Sequence, residues 1–167
     1  MRFRGRCWKF GDYIPTDQIV PSHLVYRPMS EIVRHVLVNL NPEFPERVQP
    51  GDIVVAGKHF GQSSGRAIAA KAIQATGVAC VVAESFARTF YRNAFEIGLA
   101  ILECPGISEA VREGDVLDVN LETGWVRNES TGRTLRGEPT PPFLLEMLRA
   151  GGLIPFAPRL LEEGGKR

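Results

Sequence analysis

Residues 52–83 pass from a short apolar run, Asp52-Ile53-Val54-Val55-Ala56, through a glycine- and serine-rich loop into an alanine-rich stretch, 66–76, closed by Gly77. A second apolar run, 78–83, follows at once. Short apolar runs bounded by turn signals read as buried strands, and the spacing between them predicts a helix over 66–76. The unit is β-loop-α-β, and parallel strands joined this way take a right-handed crossover. A chain built around it is mixed α/β with a parallel centre.

The flanks add to that centre. Residues 2–10 alternate loosely and read as an edge strand that breaks at Gly11-Asp12. Pro15, Pro21 and Pro28 then make 11–28 a long, largely irregular loop, a kind of segment that is usually either functional or disordered. Ile32, Val33, Val36, Leu37 and Leu40 form a helical stripe within 29–40, with Ser30 as a candidate cap. Ser85 opens another helix through Ile97, stopped at Gly98, and 99–102 is a third short strand. From Asp115 the period becomes two, and turns at Glu122-Thr123-Gly124 and Thr131-Gly132 make a β-meander of antiparallel additions. A last helix, 143–150, stops at Gly151-Gly152, and the tail 162–167 reads as frayed.

The chain has 167 residues, the size of one domain on a scale of about 150 residues each, so a single domain over 1–167 is expected. Twenty Lys and Arg against nineteen Asp and Glu leave a net charge of +1, which gives no electrostatic reason to expect nucleic acid or an anionic membrane. The longest apolar run, 78–83, is far short of the ~20 residues that span a bilayer, and the basic start is not followed by the apolar core of a signal peptide. Cys7, Cys80 and Cys104 are widely spaced, without a CxxC pair. They suit a reducing cytoplasm, and no metal or iron–sulfur site is expected from this chain alone. His23, His35 and His59 show no metal spacing.

Three segments carry candidate chemistry. The first is Gly57-Lys58-His59-Phe60-Gly61-Gln62-Ser63-Ser64-Gly65-Arg66, between strand and helix. Its glycines let the backbone approach a ligand, and a helix start offers unpaired N–H groups to a carboxylate or phosphate. Arg66 adds a planar, bidentate donor, and Ser64 is placed to act as base or nucleophile. The same residues also suit a plain helix start, with Ser64 as its cap and Arg66 solvated. It is neither a Walker loop nor a dinucleotide fingerprint. The second is Gly11-Asp12-Tyr13-Ile14-Pro15-Thr16-Asp17-Gln18, where the aspartates either form turns or deliver Asp17 to a site. The third is Ser85-Phe86-Ala87-Arg88-Thr89-Phe90-Tyr91-Arg92-Asn93, with Arg88 and Arg92 on one helix face and apolar residues on another.

Together with Pro50-Gly51-Asp52, Gly137-Glu138-Pro139 and Ala150-Gly151-Gly152, these segments resemble, in order and spacing, the isopropylmalate dehydratase small subunits of the aconitase superfamily. The resemblance implies an aconitase-type swivelling domain that closes over a large, cluster-bearing dehydratase subunit and is inactive alone. The [4Fe–4S] cluster is expected in that large subunit, with no cofactor in this chain. A small 2-hydroxy di-acid is isomerised by dehydration and rehydration. By the same resemblance Ser64 falls on the family's catalytic base, Asp17 on its Thr-Asp pair, and Arg66 on the clamp for a substrate carboxylate. Val25, Tyr26 and Arg27 fall in a substrate-binding segment, where an apolar residue accompanies alkyl substrates and arginine tricarboxylates. Ser63, Gly65 and Ala67-Ile68 depart from the family loop, which has glycine, a second serine and a glutamate there. Loss of one hydroxyl donor costs ~3–4 kcal/mol of transition-state stabilisation when nothing replaces it. Other hydroxy acids, such as homoaconitate or an alkylmalate, a non-catalytic anion-binding module, and a homo-oligomer of the isolated chain stay open on these grounds.

Overall fold

The computed structural model describes residues 1–164. One sheet runs through it. Its parallel half holds β1 (Arg2–Lys9), β2 (Ile53–Ala56), β3 (Cys80–Ala83) and β4 (Ile101–Glu103). Its antiparallel half adds β5 (Val116–Asn120), β6 (Trp125–Asn128) and β7 (Thr134–Arg136), in the order β4-β3-β2-β1-β5-β6-β7. β2 and β3 pair in parallel from Ile53 opposite Cys80 to Ala56 opposite Ala83, as the apolar runs predict. The meander also forms at the expected place.

β1 is not an edge strand. Cys7 to Lys9 pair in parallel with β2, and Arg2 to Arg6 pair antiparallel with β5, so β1 joins the two halves of the sheet. Its exposed arginines explain the misreading. Where β1 meets β5, one face of the sheet is open to water, and a central strand there alternates polar and apolar as an edge strand does.

Short helices fill the remaining connections: α1 (Thr16–Ile19), α2 (Met29–Ile32), α3 (Phe44–Arg47), α4 (Ile68–Ala75), α5 (Arg88–Ile97) and α6 (Ile107–Ala110). α4 packs on α5, α1 and α2, while α6 lies on β2 and β3. The stretch 11–28 is therefore less irregular than its prolines suggest. It holds α1 and a 3-10 turn at Ser22–Leu24, anchored by the buried side chains of Ile14, Ile19, Val20 and Leu24.

The helix expected over 29–40 stops after α2 and a 3-10 turn, Val33–His35. Leu37 then takes a left-handed φ of 56° and its N–H donates to Ile19 O at 3.0 Å. Ile32, Val36 and Leu37 are all buried, so the apolar spacing serves the core without a continuous helix. Ser30 lies inside α2, whose N-cap is Pro28. At the other end, α7 (Pro142–Ala150) stops at Gly151 and a further helix, α8 (Leu153–Gly164), follows. Phe156 of α8 packs edge-on against Phe143, with ring centroids 5.3 Å apart. Of the tail expected to fray, 162–164 close α8, and 165–167 lie outside the described residues.

Candidate functional site

Beyond their carboxyl ends, β1, β2 and β3 keep running side by side. On one flank Gly57 N–H donates to Gly11 O, Tyr13 N–H to Lys58 O, Gly61 N–H to Ile14 O and Thr16 N–H to Gln62 O, at 2.7 to 2.9 Å. On the other, Phe60 N–H donates to Ser85 O at 3.0 Å and Ala87 N–H to Phe60 O at 2.9 Å. Side chains bind the same seams. The Asp12 carboxylate accepts from Lys58 N–H at 2.7 Å, Ser85 Oγ from His59 N–H at 2.9 Å, and Gln62 Nε2 donates to Tyr13 O at 3.0 Å. Asp12 thus ties two loops together and is more than a local turn former.

Aromatic packing sets the height of the central loop. Phe60, Phe86 and Phe90 form a buried cluster, with the Phe60 and Phe90 rings edge-to-face at 5.1 Å. Gly61 crosses directly over it with φ of 81°, and any Cβ there would overlap the Phe90 ring. Position 61 therefore needs glycine twice, for the dihedral and for the space.

Past Gln62 the chain turns at Ser63, with φ of 87°, and stays without regular structure until α4. The helix expected from 66 begins at Ile68, with Ala67 as N-cap and no side-chain cap, so Ser64 does not cap it. The reason is a competing donor. A helix beginning at Arg66 would turn the Gly65 carbonyl onto its own first turn, but that carbonyl accepts from Asn93 Nδ2 of α5 at 3.0 Å. The helix expected from Ser85 is likewise shortened to start at Arg88, because 85–87 lie extended against Phe60.

A cleft of about 250 Å³ opens where these loops meet, lined by Thr16, Asp17, Val20, Ser22, Val25, Ser64, Arg66 and Ile68. Asp17 comes from the first turn of α1, Val25 from the end of the 3-10 turn, and Ser64 and Arg66 from the loop before α4. Ser64 is half-buried, and its Oγ accepts from the Arg66 backbone N–H at 3.2 Å. That bond turns a lone pair of Ser64 toward a donor and favours a developing alkoxide. The Arg66 guanidinium lies 5.8 Å over the ring of Tyr26, which is 88% exposed. Among the described residues neither Asp17 nor Arg66 is in an ion pair, so the guanidinium fork and the carboxylate both line the cleft without a charged partner.

Of the seven residues singled out in the sequence, Asp17, Val25, Ser64 and Arg66 line the cleft, and Tyr26 reaches it through Arg66. Ser63 and Arg27 are exposed and are not part of its lining. Sequence reasoning missed Thr16, Val20, Ser22 and Ile68 in the walls, and Asn93 and Ser85 behind the loop. The Thr16 hydroxyl beside Asp17 was the one signal within the first group. Ser85 and Asn93 stand at the two ends of the third candidate segment, but nothing in the sequence indicated that they pin the central loop through long-range hydrogen bonds.

Cys7, Cys80 and Cys104 do not suit a metal cluster. All three are buried and unpaired, and burial pushes their thiols up to about 11, 12 and 11, with Asp115 adding to the first and Glu84 to the third. Among the described residues no three His, Cys, Asp or Glu side chains are grouped to hold a metal ion, and no helix is long and apolar enough to cross a membrane.

A parallel sheet with an antiparallel wing and a polar cleft beyond its strand ends make up the domain. A family model of that domain, the aconitase C-terminal domain, matches residues 33–106. The chain is 49% identical over 161 residues to the isopropylmalate/citramalate isomerase small subunit of Methanocaldococcus jannaschii, covering 96% of each chain. It is 48% identical over 157 residues to the 3-isopropylmalate dehydratase small subunit 1 of Methanopyrus kandleri, covering 93% of this chain and 92% of that one. It superimposes on the crystal structure of 3-isopropylmalate dehydratase from M. jannaschii with a TM-score of 0.90 and 33% identity, covering the whole of both chains. The chain belongs to the family of 3-isopropylmalate dehydratase small subunits.

Proposed function

We propose that this chain acts, as a single domain in the cytoplasm, as the small subunit of an isopropylmalate dehydratase-type hydro-lyase, with a large subunit as its partner and a small 2-hydroxy di-acid as substrate. The observation that carries the reading is the convergence of Asp17, Ser64, Arg66 and Val25 on one cleft. The [4Fe–4S] cluster, expected in the large subunit, supplies a Lewis acid for the departing hydroxyl.

Within this chain the roles follow from the chemistry of each group. The Arg66 fork takes one substrate carboxylate bidentately, and its plane is held ready against Tyr26. That grip presents the adjacent carbon to Ser64 Oγ, which as the alkoxide takes the proton there and becomes the neutral hydroxyl, the Arg66 N–H bond having steadied its charge. Asp17, on the facing wall, is placed to hold the proton network of the substrate hydroxyl. Val25, with Val20 and Ile68, forms an apolar wall for an alkyl substituent, worth ~1–3 kcal/mol per methylene in discrimination. Dehydration and rehydration on the same base complete an isomerisation.

The test is anaerobic co-purification with the large subunit, followed by an alkene-absorbance assay on isopropylmalate and citramalate. Ser64→Ala is expected to lower turnover by ~10²–10⁴ with assembly intact. Retained turnover in the assembled Ser64→Ala complex overturns the assignment.

A further inference from the structure

The cleft has more hydroxyls than the proposed chemistry uses. Ser64 Oγ is engaged by the Arg66 N–H, position 65 has no side chain and Ser63 lies outside the lining, so the 63–66 loop offers the cleft a single hydroxyl. A di-acid held by Arg66 at one carboxylate still presents a second anionic group to the opposite wall. That wall is built from Thr16, Asp17, Val20, Ser22 and Val25, in which Val20 and Val25 donate nothing and a carboxylate repels an anion. Thr16 is 8% exposed, set deep beneath the rim. Ser22 is exposed, opens the 3-10 turn after Pro21, and its hydroxyl has no hydrogen-bond partner among the described residues. Pro21 is the N-cap of that turn and no side chain caps it, so the serine is not needed for the local structure.

We infer that Ser22 is a substrate-contacting residue whose hydroxyl donates to the second carboxylate, supplying from the facing loop the donor that position 65 lacks. The inference rests on the proposed function of the cleft. Position 65 itself has room for a side chain. Gly65 does not have a left-handed φ, and a Cβ there would meet only the Thr89 methyl at 3.9 Å, an ordinary contact. The absence of a side chain at 65 is therefore not dictated by the backbone, and a serine fits.

That freedom supplies the experiment, on the assembled complex with isopropylmalate as substrate. Ser22→Ala is expected to lower kcat/KM about ten- to hundredfold, the usual range for a hydrogen bond to a charged group, with the melting temperature unchanged. Adding Gly65→Ser to Ser22→Ala is expected to recover part of that loss, by returning a hydroxyl from the other side. A Ser22→Ala complex as efficient as the wild type, or one whose loss Gly65→Ser leaves untouched, overturns the inference. Ser64→Ala run beside them separates the two levels. If it too keeps turnover, the reading of the cleft has failed; if it alone is dead, only the role of Ser22 has.

Discussion

β2 and β3 are buried along their whole length, whereas β5 and β6 bury only alternate residues. The parallel half has helices over it and sends three strand ends onward into hydrogen-bonded loops. The antiparallel wing keeps one face in water and ties its strands with surface ion pairs, Arg2 to Asp118 and Arg4 to Glu129. The cleft opens at the first because strands that end together leave a crevice beyond their carboxyl ends. The difference teaches where a substitution will be felt: in the parallel half through packing and the cleft, in the wing through modest, screened electrostatics.

The same residue type in the same conformation sharpens this most. Gly61 and Gly132 both have left-handed φ values, 81° and 79°. A Cβ at 61 would overlap Phe90, while nothing lies within 4 Å of one at 132. Gly61→Ala is expected to cost ~3 kcal/mol, conformational strain plus overpacking, and to disorder the cleft. Gly132→Ala should cost ~1 kcal/mol, strain alone, with turnover of the assembled complex unchanged. Chemical denaturation of both variants checks it; equal losses would erase the distinction between the halves.

A second contrast lies within the parallel half, between holding the loop and using it. Arg66 is exposed and, among the described residues, makes no ion pair, so Arg66→Lys should leave the melting temperature where it is. It removes the planar fork and the stack on Tyr26, and KM is expected to rise about tenfold or more with a smaller change in kcat. Steady-state kinetics on the assembled complex measure it. An unchanged KM would mean that the clamp lies elsewhere.

What was legible in the sequence divides along the same line. Apolar runs such as 78–83, and the period-two pattern from 115, depend on local burial and came out as strands where expected. Asp17, Ser64 and Arg66 were found through motif and resemblance, and the structure places them around one cleft. Errors fell wherever a long-range hydrogen bond overrides a local preference. Asn93 holds the Gly65 carbonyl and delays α4; Ile19 draws Leu37 out of a helical pattern; β5 turns an apparent edge strand into a central one. Those partners lie 18 or more residues away, beyond any window in which periodicity is read.

The wing offers the smallest effect and the most specific sign. Asp118 accepts a hydrogen bond from Arg2 Nε at 2.7 Å, and that bond, with the guanidinium charge, holds its carboxyl below the usual carboxylate range. A carboxyl lowered on folding stabilises the native state above its unfolded value and loses that contribution as pH falls through its folded value. Asp118→Asn should therefore lower the melting temperature at neutral pH, by about 2 °C or less for so exposed a partner. The gap between variant and wild type should close as pH drops below the carboxylate range, and should also shrink with added salt. Thermal melts across that range read it directly. A gap that persists in acid would show that Asp118 acts through packing against its neighbours in β5, and the wing would then follow the rule of the parallel half.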